Sequence, residues 1–145
     1  MGWIAEYVRG GGSLIAAPGL ALQGGSGSMA SILANLGIIV QPGLVCRPVI
    51  GAAGMALFER KECAELLLRA DGMRTQHPIT EPLRRADQRV RMLFAHALER
   101  GDPPSEGILL DILRTDEYTW EEFPDPGGGF SWRWDQGRER EGPFT

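Results

Sequence analysis

The sequence predicts a mainly α-helical protein, with one kinked transmembrane helix followed by two or three amphipathic helices and an extended C-terminal tail. Three observations predict it: a long stretch without charged residues, apolar positions at helical spacing in the middle of the chain, and dense turn residues near its end. They divide the chain into a glycine-rich, membrane-associated region (1–58), an amphipathic helical region (59–114) and an aromatic, acidic tail (115–145).

Charged residues are missing from the first third of the chain. No Asp, Glu, Lys or Arg occurs in the 37 residues of the segment 10–46, although charged residues make up 23% of the sequence. The surface helices and strands of a water-soluble domain keep a polar face. We therefore expect this segment not to face water.

The transmembrane helix is placed at residues 28–46, SMASILANLGIIVQPGLVC. As a straight helix this segment would be about 28 Å long, close to the ~30 Å thickness of the hydrocarbon core. Pro42 predicts a kink near Ile38, because proline removes one backbone hydrogen bond. Two alternatives stay open, a hairpin of two short apolar segments and a buried glycine-rich core.

Small residues recur four positions apart in and before this helix, a spacing that lets a neighbouring membrane helix approach closely. The candidate packing residues are Gly24, Gly27, Ser28, Ala30, Ser31 and Ala34. The loop 24–28 also carries an alternative function, because free backbone N–H groups in a glycine-rich turn can bind phosphate. A P-loop lysine and a full G-x-G-x-x-G motif are missing, so packing is the favoured role.

Three amphipathic helices are expected after the transmembrane helix. The first covers 49–70 and ends before Asp71-Gly72, since glycine is common after a helix C-terminus. The second begins at Thr80, with a glutamate and a proline in its first turn, and stops at Gly101. The third begins at Ser105, after two prolines.

The tail concentrates three of the four tryptophans of the chain. Alternating aromatic residues of an extended segment lie on one side of it, where they can contact a partner. The candidate partner-binding residues are Trp120, Phe130, Trp132 and Trp134. The alternative is that they cover a small core of this protein itself.

No catalytic residue, cofactor-binding residue or metal ligand is predicted. The cysteines and histidines lack the paired spacing of a zinc site; they are Cys46, Cys63, His77 and His96. Glu121 and Glu122 are adjacent and would point apart on an extended chain. His96 and Glu99 are predicted to form a pair on a helix surface.

These observations predict a protein that is not an enzyme: an accessory, structural subunit of a larger membrane complex, with other subunits and the lipid bilayer as its partners. A respiratory-chain complex of the mitochondrial inner membrane is the expected host, because such complexes commonly hold one-span subunits without catalytic residues. The alternatives are a soluble nucleotide- or phosphate-binding domain that uses the loop 24–28, and a soluble helical adaptor whose apolar third is buried by a partner protein. A net charge of −4 argues against nucleic acid as the main partner.

Overall fold

Short strands form more of the regular structure than helices do. In the computed structural model the described residues are 2–14, 29–52, 54–57, 61–101 and 111–145. The described helices are α1 (Gly2–Arg9), α2 (Met29–Asn35) and α3 (Thr80–Arg85), with 3₁₀ turns at Lys61–Ala64 and Ala70–Gly72. The described strands are β1 (Ile38–Cys46), β2 (Val49–Ile50), β3 (Ala56–Leu57), β4 (Glu65–Leu68), β5 (Val90–Leu93), β6 (His96–Arg100) and β7 (Trp120–Glu122). The prediction of a mainly α-helical fold is therefore wrong.

The segment expected to cross a membrane is divided between a helix and a strand. α2 ends at Asn35, and Gly37 then adopts a left-handed backbone with a φ of 75°, which terminates the helix. The β-branched run that follows, from Ile38 to Val40, favours the strand β1. Among the described residues, no helix has the length and apolar character needed to span a bilayer. This finding contradicts the predicted transmembrane helix and the inner-membrane localisation that was based on it.

The first predicted amphipathic helix, at 49–70, is replaced by strands. Gly51 and Gly54, the latter with a φ of 73°, close a tight hairpin between β2 and β3. Farther along, β4 pairs antiparallel with β5 over four residues, from Glu65 opposite Leu93 to Leu68 opposite Val90. Pairing with a distant strand overrides the local helical period here.

Only the beginning of the second predicted helix is helical in the structure. α3 ends at Arg85, and Asp87 takes a positive φ of 48° that redirects the chain into β5. The start of the third predicted helix, at Ser105, lies outside the described residues. Leu113, eight residues after this predicted start, forms an antiparallel bridge with Met73.

The chain divides into two compact units, the first made of Met1–Pro42 with Leu98–Leu110 and the second of Gly43–Ala97 with Asp111–Thr145. In the first unit α1 and α2 pack together. The Arg9 guanidinium donates a hydrogen bond of 2.9 Å to the carbonyl of Asn35, at the C-terminal end of α2. A cation there satisfies a free carbonyl and interacts favourably with the helix dipole.

The second unit has apolar packing on both sides of β1. Three strands form a sheet with the order β6–β1–β7, and β1 pairs antiparallel with β7. Since successive strand residues face opposite sides, β1 contributes to two clusters. The first cluster contains Leu44, Cys46, Cys63, Ala64 and Trp120, and the second contains Val45, Leu66, Ala97 and Phe144.

Candidate functional site

Two adjacent glutamates of β7 are completely buried in the second unit. Glu121 and Glu122 are both 0% exposed. Glu122 lies opposite Leu44, on the side of the first cluster, whereas Glu121 lies opposite Val45, on the side of the second. The two carboxylates therefore point apart, as expected for neighbours on a strand. Their burial was not predicted, because charged residues are rarely buried without partners.

The Glu122 carboxylate accepts hydrogen bonds from four donors. Its Oε1 accepts from the Ser131 N–H at 3.0 Å, the Ser131 hydroxyl at 2.9 Å and the Trp132 N–H at 3.0 Å. Its Oε2 accepts from the Trp120 indole N–H at 2.9 Å. A buried carboxylate with this many donors is held in place by them, and the donors depend equally on it.

Glu139 adds a second carboxyl group to the same place. It is buried, and its Oε2 accepts a hydrogen bond of 2.8 Å from the Asp135 N–H. Burial is the largest cause that raises the pKa of Glu139 to about 7, and the neighbouring Glu122 raises it further. The Glu139 carboxyl group therefore carries a proton at acidic pH.

Glu121 has a separate set of partners. Its Oε2 accepts charge-assisted hydrogen bonds from Arg140, at 2.7 Å from Nε and 2.6 Å from Nη2. Its Oε1 accepts from the Gly43 N–H at 3.2 Å. A Cβ atom at Gly43 would collide with the Glu121 side chain, so the close approach requires glycine at this position.

The two cysteines are buried beside this carboxyl pair as free thiols. Burial, followed by the charges of Glu122, Cys63 and Glu139, raises the pKa of Cys46 well above its usual range. A neutral buried thiol is a poor nucleophile, so Cys46 acts as part of the apolar cluster. Among the described residues no group of three or more His, Cys, Asp or Glu side chains is arranged to hold a metal ion.

The aromatic residues of the tail pack against the first cluster. Trp120 is 3% exposed within it, and Phe130, Trp132 and Trp134 lie partly buried against it. The rings of Phe130 and Trp132 stack with their centroids 4.9 Å apart. This is the arrangement that the own-core alternative describes, and a contact between these side chains and a partner stays a prediction.

The other sequence-predicted residues are dispersed. Of the six proposed packing residues, Ala30, Ser31 and Ala34 lie in α2, and the remaining three fall outside the described residues, together with the proposed phosphate loop 24–28. His96 and Glu99 lie on β6, so they do not form a helical pair. His96 Nδ1 is 2.9 Å from the Gly43 carbonyl, whereas Glu99 accepts a hydrogen bond from Gln41.

An apolar cavity of about 40 Å³ lies in the second unit. Its lining includes Leu66, Met92 and Phe144 from the second cluster, together with His96. A space of this size holds a water molecule or a methyl group, and is far below the several hundred Å³ of a typical ligand pocket.

The hairpin of β2 and β3 exposes large apolar side chains. It contains no charged residue, and Ile50 and Met55 are 62% and 68% exposed. Hydrogen bonds from the Gly51 N–H to the Met55 carbonyl and from the Gly54 N–H to the Gly51 carbonyl, both 2.9 Å, close its tip. The lack of charges in this segment is visible in the sequence, but it predicted part of a helix rather than an exposed surface.

Comparison with protein-family models, with curated proteins and with solved structures finds no match to this chain.

Proposed function

We propose that this chain is a non-catalytic protein-interaction domain and that its contact surface is the β2–β3 hairpin. The observation that carries the proposal is the high exposure of Ile50 and Met55 on a segment without charges. Large contiguous patches of exposed apolar side chains mark protein contact surfaces. The proposal keeps one part of the adaptor alternative, namely that a partner protein buries part of the apolar sequence.

The two faces of the hairpin have different roles. Val49 packs against the first cluster and lies opposite Leu57, so this pair faces inward. Ile50 lies opposite Ala56 on the other face, and both are exposed. The inward pair attaches the hairpin to the unit, and the outward pair is presented to a partner.

The backbone of the hairpin supports pairing with another strand. Gly51 and Met55 form a hydrogen-bonded pair, so the alternation of an antiparallel ladder directs the N–H and C=O groups of Ile50 and Ala56 outward. Among the described residues, β2 and β3 form a sheet of only two strands. An edge of this kind is a template for the addition of a strand.

A second copy of this chain is the partner that this surface fits. An uncharged hairpin meets the same hairpin of another copy without like-charge repulsion, whereas a charged partner would find no opposite charge on it. Around a two-fold axis, the outward N–H and C=O groups of one Ile50 can pair with those of the other. We therefore propose that the domain forms a dimer through the hairpin.

Sedimentation velocity over a range of concentrations, from micromolar to near-millimolar, tests this proposal with two variants. Ile50→Lys places a charge at the contact, and Ile79→Lys is the matched control, since Ile79 is 61% exposed elsewhere in the same unit. We expect the wild type and Ile79→Lys to form dimers as concentration rises, and Ile50→Lys to stay monomeric with an unchanged circular dichroism spectrum. A wild type that is monomeric throughout, or an Ile50→Lys variant that dimerises as the wild type does, would overturn the proposal.

A further inference from the structure

The two cysteines of the chain, Cys46 and Cys63, lie in the same buried cluster, and both are 0% exposed. A hydrogen bond of 2.9 Å from the Arg47 N–H to the Cys63 carbonyl joins the end of β1 to the 3₁₀ turn Lys61–Ala64. Two covalent bonds separate each cysteine Cα from this hydrogen bond. With standard backbone dimensions, the two Cα atoms therefore lie about 5–7 Å apart.

This separation suits a disulfide bond. The Cα atoms of disulfide-bonded cysteines are usually about 4.4–6.8 Å apart. Because both side chains pack in the first cluster, they point into one region of the unit rather than away from each other. The Cys63 thiol donates to the Leu57 carbonyl at 3.8 Å, and rotation about its single side-chain torsion redirects the sulfur toward Cys46.

We propose that Cys46 and Cys63 are a redox pair, which a low-molecular-weight disulfide such as oxidised glutathione converts into an intramolecular disulfide. One cysteine sulfur attacks the glutathione disulfide and releases one reduced glutathione. The second cysteine sulfur then attacks the mixed disulfide and releases the other. The cysteines are oxidised, the glutathione disulfide is reduced, and the two thiol protons end on the two glutathione thiols.

The surroundings of the two thiols indicate which of them attacks first. Burial and the nearby glutamates raise the pKa of Cys46 well above its usual range, which makes it the poorer nucleophile. Cys63 contacts β3 through the Leu57 carbonyl, so local opening of the hairpin exposes it. A two-stranded hairpin is only marginally stable and opens more easily than a core strand. We therefore expect Cys63 to attack the glutathione disulfide and Cys46 to complete the bond.

The disulfide closes a loop around the β2–β3 hairpin, which lies within the 16 residues between the two cysteines. A crosslink of this span restricts the unfolded chain and lowers the equilibrium constant for unfolding on the order of a hundredfold. By linkage, folding favours formation of the disulfide by the same factor. The bond does not depend on a partner at the hairpin, so this proposal and the dimer proposal can fail separately.

Equilibration in glutathione buffers of graded composition, with and without a denaturing concentration of urea, tests the redox pair. After an acid quench, the intact mass distinguishes the disulfide, which lacks two hydrogen atoms, from a glutathione adduct. Non-reducing electrophoresis separates an intramolecular bond from one between chains. Cys46→Ser and Cys63→Ser are the matched controls, because each keeps one thiol that can form an adduct but no intramolecular disulfide.

We expect the native wild type to become half oxidised at a ratio of oxidised glutathione to the square of reduced glutathione that is on the order of a hundredfold lower than in urea. The oxidised protein should also unfold at a higher urea concentration than the reduced protein. A native protein that keeps both thiols in every buffer, or that is oxidised no more readily than the unfolded chain, contradicts the redox pair. This comparison uses the wild type alone, so it decides the question even if a serine variant does not fold.

Discussion

The β2–β3 hairpin and the strand β7 reverse the usual relation between charge and burial. The hairpin has no charged residue and exposes Ile50 and Met55, whereas β7 carries two adjacent glutamates that are fully buried. What separates the two segments is the supply of hydrogen-bond partners. β7 is surrounded by N–H groups and a guanidinium that match its carboxylates, so its charges can be buried. The apolar hairpin packs against the unit through Val49, and the outward side chains of Ile50 and Ala56 are exposed.

Removing the Glu122 carboxylate is expected to cause the largest loss in the free energy of unfolding. Glu122→Ala leaves four donors from Trp120, Ser131 and Trp132 without their acceptor. We expect the free energy of unfolding to fall by about 4 kcal/mol. Urea denaturation measures this change, with the exposed Glu117→Ala as a control that should stay within about 0.5 kcal/mol of the wild type. Equal effects of the two changes would show that β7 is not held by its carboxylates.

Arg140→Ala removes the cation from the buried Glu121 and leaves the Gly43 N–H as a remaining partner. We expect a loss of about 3 kcal/mol in the free energy of unfolding, because an uncompensated buried charge is costly. The exposed Arg89→Ala, in the same unit, is the control, and urea denaturation is again the measurement. A loss no larger than that of Arg89→Ala would show that Arg140 does not stabilise the buried charge of Glu121.

The raised pKa of Glu139 predicts how global stability depends on pH. Its folded-state pKa of about 7 lies above its ordinary value of 4.5, so the stability it contributes is present below pH 4.5 and is lost as pH rises to 7. We expect the wild type to lose about 2 kcal/mol in the free energy of unfolding relative to Glu139→Gln between pH 4.5 and pH 8, after allowance for solvent screening. Urea denaturation of both proteins at the two pH values gives this difference, and parallel pH profiles would contradict it.

Gly43→Ala tests how tightly β1 fits against Glu121. The added methyl group collides with the Glu121 side chain, which is held between Gly43 and Arg140. We expect a loss of about 1–2 kcal/mol in thermal or urea denaturation. Gly127→Ala is the matched control, because a Cβ atom there has no neighbour within 4 Å. A Gly43→Ala protein as stable as Gly127→Ala would show that the strand can move aside.

The smallest effect on stability is expected in the hairpin itself. The outward side chain of Ile50 contributes little to a monomer, so Ile50→Lys should change the free energy of unfolding by no more than about 0.5 kcal/mol at low protein concentration. Urea denaturation at the lowest workable concentration measures it. A loss of several kcal/mol would mean that Ile50 is part of the core.

The sequence indicated some features of this fold and missed others for physical reasons. The lack of charges in the first third predicted a transmembrane helix, and this prediction failed because Gly37 ends α2 and the β-branched residues after it favour β1. The opposite orientation of Glu121 and Glu122 could be inferred from alternation along a strand. Their burial could not, because the Gly43 N–H that binds Glu121 lies 78 residues away and the backbone donors to Glu122 lie 9 and 10 residues farther along the chain.

Hydrogen-exchange mass spectrometry of the wild type at low and high protein concentration tests the reversed relation of charge and burial most directly. We expect amides of the β2–β3 hairpin to exchange quickly at low concentration and to gain protection at high concentration, whereas amides of β7 should be protected at both. A hairpin whose exchange is independent of concentration, or a β7 segment that exchanges as quickly as the hairpin, would contradict it.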